Sequence, residues 1–183
     1  MIITMKSVKP VVISALFVCT VANSSSAQRS FRVPTTSMEP TVLLGEHVIV
    51  DDSFYRARAP ERGDIVAYTL ASDPRTTLLK RIVGLPFETI EIRHKFVFVN
   101  AQRIGESYVE HRDAADYTGT SKAEPFKSRD SFGPVKLGME QYFVLGDNRD
   151  QSRDSRYDGP IRRGQIIGKV VIIKGSKRFR QLN

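Results

Sequence analysis

Residues 88–104 read ETIEIRHKFVFVNAQRI. Thr89–Ile92 and Phe96–Val99 are two short runs rich in β-branched and aromatic residues. The polar stretch Arg93–Lys95 lies between them, and Asn100 closes the second run. Such residues suit a pleated, half-buried surface, so the stretch predicts a β-hairpin. The same composition recurs outward along the chain in HVIVDD (47–52), GDIVAYTL (63–70), TLLKRIVGL (77–85), QYFVLGD (141–147) and GQIIGKVVIIKG (164–175). No stretch of more than ten residues carries an apolar period of about 3.6. The expectation is a mostly β fold, an antiparallel β-sheet domain over residues 28–183. Residues 105–138 are polar and turn-rich and read as a small insertion rather than core.

The 183 residues are enough for one domain with a real core. Apolar content of 40% and charged content of 26% are globular values and exclude a disordered chain. The net charge of +8 suits anionic partners, either nucleic acid or anionic lipid headgroups. Cys19 is the only cysteine, which excludes an intrachain disulfide and a cysteine-based metal site. Val18 is not the small residue that a lipidation signal places before its cysteine.

The N-terminus has the order of an export signal. Lys6 and Lys9 precede the uncharged, largely apolar run VVISALFVCTVA (11–22), and NSSSAQRS follows. As a helix, those twelve residues would span about 18 Å, against roughly 30 Å of hydrocarbon. Two readings follow for residues 1–27: a single-pass N-terminal anchor, extended by Ile2–Met5, or a signal peptide removed after Ala27. Both place the remainder outside the cytoplasm. A core segment of a cytosolic protein is the third reading.

Ser37 stands in TTSMEPT (35–41). A serine nucleophile needs a group to take its proton. His47, His94 and His111 are the histidines, and each reads as a surface or half-buried residue, with His47 the strongest histidine rival. Residues 78–83 offer another base. In an extended strand Leu78, Lys80 and Ile82 share one face, and Leu79, Arg81 and Val83 the other. An amine between aliphatic neighbours has its pKa lowered by desolvation and can act as a general base. The rival reading is a lysine guarding an exposed strand edge. The run GDNRDQSRDSRYD (146–158) sets four aspartates against three arginines. Arg149 at the third position and the lack of glycine at the sixth argue against a calcium loop, so the run reads as a self-neutralising charged turn. Within it, Ser152 is a candidate partner for a lysine amine.

Four stretches, TTSMEPTV (35–42), RGDIVAY (62–68), LLKRIVGLP (78–86) and GDNRDQSRDSR (146–156), together resemble the conserved boxes of type I signal peptidases (leader peptidases), in that family's order. The likeness covers about residues 31–173, and its last box is long and unusual. The resemblance implies a Ser/Lys dyad with Ser37 as nucleophile and Lys80 as base. It implies an oxyanion hole from the Ser37 N–H and the Thr35 hydroxyl. Ser152 would orient the lysine amine, and Arg81, Asp154 and Arg156 would form a structural ion-pair cluster. Met38 would belong to an apolar surface near the membrane. The sequence departs from the family pattern at Phe87-Glu88, where Gly-Asp is common, and at Tyr157-Asp158, where Trp-Gly is common.

The implied activity is removal of signal peptides from exported preproteins by cleavage after a small residue, without metal or cofactor. The implied location is the bacterial inner membrane, with the catalytic domain on the extracytoplasmic (periplasmic) side; after signal removal it would be a soluble periplasmic domain. The expected partners are preproteins and an anionic membrane surface, and no nucleic acid is expected. A specialised conjugation-type pilin or propeptide maturation peptidase is the enzymatic alternative. The non-enzymatic one is a basic nucleic-acid-binding β domain, drawn from the +8 charge and the tail KGSKRFRQLN.

Overall fold

The computed structural model describes residues 28–118, 129–175 and 179–182. The anchor and cleaved-signal readings of residues 1–27 lie outside them. The strands follow the β runs of the sequence: β1 (Gln28–Arg32), β2 (His47–Asp51), β3 (Ile65–Leu70), β4 (Asp73–Gly84), β5 (Thr89–Arg93), β6 (Phe96–Val99), β7 (Gln102–Arg103), β8 (Phe132–Lys136), β9 (Gln141–Leu145), β10 (Ile161–Arg162), β11 (Ile166–Lys174) and β12 (Phe179–Gln181). The α-helix among the described residues is the single turn α1 (Ser155–Asp158).

Every strand pair is antiparallel, as the sequence predicts. One sheet runs β1-β2-β11-β3-β4-β9-β10 and the other β7-β6-β5-β8. β11 is long enough to serve two neighbours on one edge. Its first half pairs with β3, and its last residues pair with β12. β5 and β6 form the expected hairpin, with Arg93 opposite Phe96. His94 and Lys95 turn it in left-handed conformations, at φ 49° and 71°.

Alternation along β3 and β4 divides the apolar residues into separate clusters. Ile65 and Ala67 pack with Val48, Val50, Val170 and Ile173. Val66, Tyr68 and Ile82 pack with Val144 and Ile166. Val83 joins Phe143, Leu145, Ile90 and Ile92, which seats the second sheet on the first. β4 is therefore an interior strand, hydrogen-bonded to β3 and β9, and Lys80 is only 3% exposed. The exposed-edge reading of that lysine is overturned.

Residues 105–138 are less separate from the core than their polarity implies. Leu137 is fully buried in the cluster around Phe143, and β8 pairs with β5. The stretch also carries the buried pair Arg129–Asp130. The β8 sequence FGPVK signals a turn, yet it sits at a sheet edge, where a proline removes no needed donor.

The first departure from the family pattern has a local cost. Phe87 holds φ 70° and is 63% exposed. Glu88 stabilises the turn by accepting from the Leu85 N–H at 2.7 Å and from Arg62. A left-handed non-glycine residue costs about 1–2 kcal/mol, and glycine returns about 0.5–1 kcal/mol of that through backbone entropy. Phe87→Gly should therefore raise stability by up to about 1 kcal/mol, and Phe87→Ala should not. Urea midpoints at unchanged slope test this; a destabilised glycine variant would contradict it.

Candidate functional site

Ser37 lies on the turn between β1 and β2. The turn closes through Glu39 N–H to Thr36 O at 3.0 Å and Val42 N–H to Met38 O at 2.8 Å. Val33 and Met38 are anchored in the core at 3% and 1% exposure, which fixes the serine on the segment between them. This corrects the surface role expected for Met38: the thioether fills the core, and Leu43 and Leu44 are the exposed apolar residues nearby.

β4 delivers Lys80 to the same point. Its Nζ donates to Ser37 Oγ at 2.9 Å and to Leu79 O at 3.0 Å. Burial lowers the Lys80 pKa below the ordinary lysine range; the Asp154 carboxylate opposes the shift and the Arg156 guanidinium adds to it. Ser37 Oγ has one other partner, Thr35 Oγ1 at 3.2 Å. The Ser37 N–H donates to no acceptor among the described residues.

No histidine takes the place of Lys80. His47 is exposed at the start of β2, paired across strands with Arg32 and Lys174. His94 contacts Asp116 at 2.6 Å on the surface, and His111 lies 3.8 Å from Asp150.

The loop after β9 closes the site from the other side. If a Cβ were placed on Gly146, it would lie 2.2 Å from Ser152 Oγ and 2.5 Å from Ser37 O. Only glycine leaves room for both the Ser152 side chain and the Ser37 carbonyl. Asn148 N–H then donates to Ser37 O at 3.2 Å, Asn148 Nδ2 to Thr36 O at 3.3 Å, and Thr36 Oγ1 to Gln151 Oε1 at 3.1 Å. Ser152 is buried beside Gly146; its Oγ meets no partner at full hydrogen-bond geometry, though it lies near enough to the Asp154 carboxylate to help hold that group's pKa down. The structure brings it to the site without joining it to Lys80.

The charges of 146–158 are neutralised partly from within. Asp154 and Arg156 pair at 2.9 Å, and exposed Arg153 pairs with Asp158 at 2.7 Å. Asp147 instead takes Arg81 at 2.6 Å, and Arg149 takes Glu106 at 2.6 Å. Asp150 accepts the backbone N–H groups of Arg112 and Asp113, with Arg129 at 3.6 Å. The expected ion-pair cluster is thus two pairs: Asp154–Arg156 and, separately, Asp147–Arg81. Burial pushes the Asp154 carboxyl up, but Arg156 outweighs it and holds the group below the usual carboxylate range. Among the described residues, no three His, Cys, Asp or Glu side chains converge as metal ligands.

The sequence reading missed Asn148 and Gly146. Their signal was the register: Arg81 opposite Leu145, continued by one residue, sets Gly146 opposite Lys80.

The site is a serine hydroxyl held at 2.9 Å by a buried lysine amine on a β scaffold. Comparison with known proteins gives the family. The family model "Signal peptidase, peptidase S26" matches residues 3–174, and the chain belongs to that family. It is 34% identical over 145 residues to a probable signal peptidase I-2 from Synechocystis, covering 76% of this chain and 60% of that protein. It is 34% identical over 140 residues to signal peptidase I V of Bacillus subtilis, covering 76% of this chain and 82% of the relative. A solved signal peptidase I from Enterococcus faecalis is 31% identical, with a TM-score of 0.47, over 62% of this chain and 97% of that one. Family membership disfavours the nucleic-acid reading.

Removing one partner of a buried ion pair typically costs about 3–5 kcal/mol, whereas replacing both by apolar residues costs far less. Arg156→Met should lower stability by about that amount, and Asp154→Leu/Arg156→Met should recover only part of it, because the carbonyls of Arg129 and Arg149 and the Gly146 N–H lose their partners. Because the Asp154 pKa is depressed, its contribution is present above the ordinary carboxylate pKa and is lost as pH falls through the folded value. Urea titrations at neutral and acid pH check both; an undestabilised Arg156→Met would contradict the pairing.

Proposed function

We propose that this chain is a serine endopeptidase that removes signal peptides from exported preproteins by a Ser37/Lys80 dyad. The observation that carries the reading is the 2.9 Å contact between Ser37 Oγ and a Lys80 amine that burial drives toward its neutral form. Neutral Lys80 takes the Ser37 proton, and Oγ attacks the scissile carbonyl. The Ser37 N–H and the Thr35 hydroxyl hold the oxyanion. One such donor is typically worth about 10²–10³ in rate. The lysine ammonium protonates the leaving amine, and an activated water then releases the acyl group from Ser37. Ser152 orients the amine by rotating its hydroxyl toward it. Arg81, Asp154 and Arg156 support the loop from below.

In this reading the substrate binds extended, beside the sheet, and is cut after a small residue. The domain works on the extracytoplasmic face of the bacterial inner membrane, held there by residues 1–27 or left free in the periplasm after their removal. The basic surface favours anionic headgroups. The names of the relatives and the match to the last sequence box support general preprotein processing over a specialised pilin-maturation role.

The test is cleavage of a preprotein with an Ala-x-Ala site by the full chain in detergent. Ser37→Ala and Lys80→Ala should fall to background while remaining folded, and His47→Ala should retain activity. Retained turnover in Lys80→Ala would falsify the dyad. In the wild type, kcat/KM should rise as pH climbs through the Lys80 pKa, with the rise complete below the ordinary lysine range. A limb at the ordinary lysine value would contradict the lowered pKa.

A further inference from the structure

We propose that the Asn148 side chain is a positioning residue that aims the oxyanion-hole N–H; the inference rests on the Ser37/Lys80 reading. The argument starts from one peptide unit. The Thr36 carbonyl and the Ser37 N–H belong to the same planar group, so fixing the direction of one fixes the other. Asn148 Nδ2 donates to Thr36 O at 3.3 Å, beside the Glu39 N–H of the turn at 3.0 Å, and the two bonds together set the direction of that carbonyl. In a trans peptide the N–H points away from its own C=O. The Ser37 N–H is thereby directed away from Asn148, with no acceptor among the described residues. A hydrogen bond to an amide oxygen also polarises the amide and strengthens the N–H as a donor.

The same residue holds the next carbonyl, since its own N–H donates to Ser37 O at 3.2 Å. That contact is main chain and does not depend on which side chain stands at 148. The link to Thr36 O does require an amide. Thr36 is also secured through its hydroxyl to Gln151, so the turn has an attachment that does not involve the asparagine side chain. Asn148 is 2% exposed, and its Oδ1 is buried without a protein partner. A buried unpaired acceptor is unfavourable, and an apolar residue of similar size would avoid it. Packing alone therefore does not select asparagine; its Nδ2 donor does.

Asn148→Asp keeps the size and the main-chain contact but replaces the donor with an acceptor. Asn148→Ala removes the group. Both are measured in the full chain in detergent on an Ala-x-Ala peptide, beside Ser37→Ala, with a peptide aldehyde that forms a hemiacetal at the serine as probe of the oxyanion site. The expected result is a kcat loss of about 10–100-fold, less than that for removal of a whole donor. KM should stay within about twofold, the acid limb should not move, and aldehyde affinity should fall by about the same factor as kcat/KM. A kcat within about twofold of wild type overturns the inference, as does a joint shift of kcat, KM and the acid limb, which marks a general loosening of the loop. If the aspartate variant does not fold, the alanine variant decides on the same criteria. Retained turnover in Ser37→Ala sinks the dyad and this inference with it. A dead Ser37→Ala beside fully active Asn148 variants sinks the inference alone.

Discussion

An ammonium group withdrawn from water must find an opposite charge in contact or give up its proton. Lys80 is 3% exposed and has no carboxylate among its hydrogen-bond partners. Its immediate partners are a hydroxyl and a carbonyl, both neutral. The charges that act most strongly on the amine, Asp154 and Arg156, are paired with each other at 2.9 Å, and being of opposite sign they oppose one another. Desolvation is left to set the balance. Much of the surrounding architecture serves this condition. β4 must be interior to the sheet, the Ser37 turn must cover the amine, and the acid-base pair must be close yet self-contained.

Gly146 is the second constraint. A strand end, a serine turn and the loop carrying Ser152 converge where there is no room for a methyl group. The convergence lets one residue, Asn148, hold two successive carbonyls of the Ser37 turn. The loop is in turn secured from outside by Arg81, Glu106 and the backbone of residues 112–113. The polar excursion is thus tied directly to the site. Arg112 bridges further to Glu39, on the Ser37 turn.

Much of this was legible in the sequence, for physical reasons. The runs forming β2, β3, β4, β9 and β11 and the β5–β6 hairpin carry β-branched and aromatic residues in short segments, and alternation assigned the faces of β4 correctly. β1 and β12, QRSFR and FRQ, are polar edge pieces with no apolar pattern to find. β8 was hidden by Gly133-Pro134. Ser37 and Lys80 were readable as chemical types, but whether Lys80 was buried depended on strand order, which no hexamer contains. The grouping of Arg81 with Asp154 and Arg156 came from the family resemblance alone. In space, Asp147 is the carboxylate that reaches Arg81. Met38 was misplaced for a similar reason: the turn directs it inward, and only the tertiary fold reveals that.

The connectivity of the large sheet has a temporal side. Ser37 and Lys80 are separated by 43 positions, and neither strand flanking the Ser37 turn pairs with β4. The turn before β2 reaches Lys80 only once β2 has docked on β11, near the end of the chain, and β9 has delivered the loop after it. A chain emerging N-terminus first therefore presents Ser37 long before Lys80 can be brought to it. The contact between the two side chains forms late, with closure of the sheet, and no part of the chain short of β11 can make it.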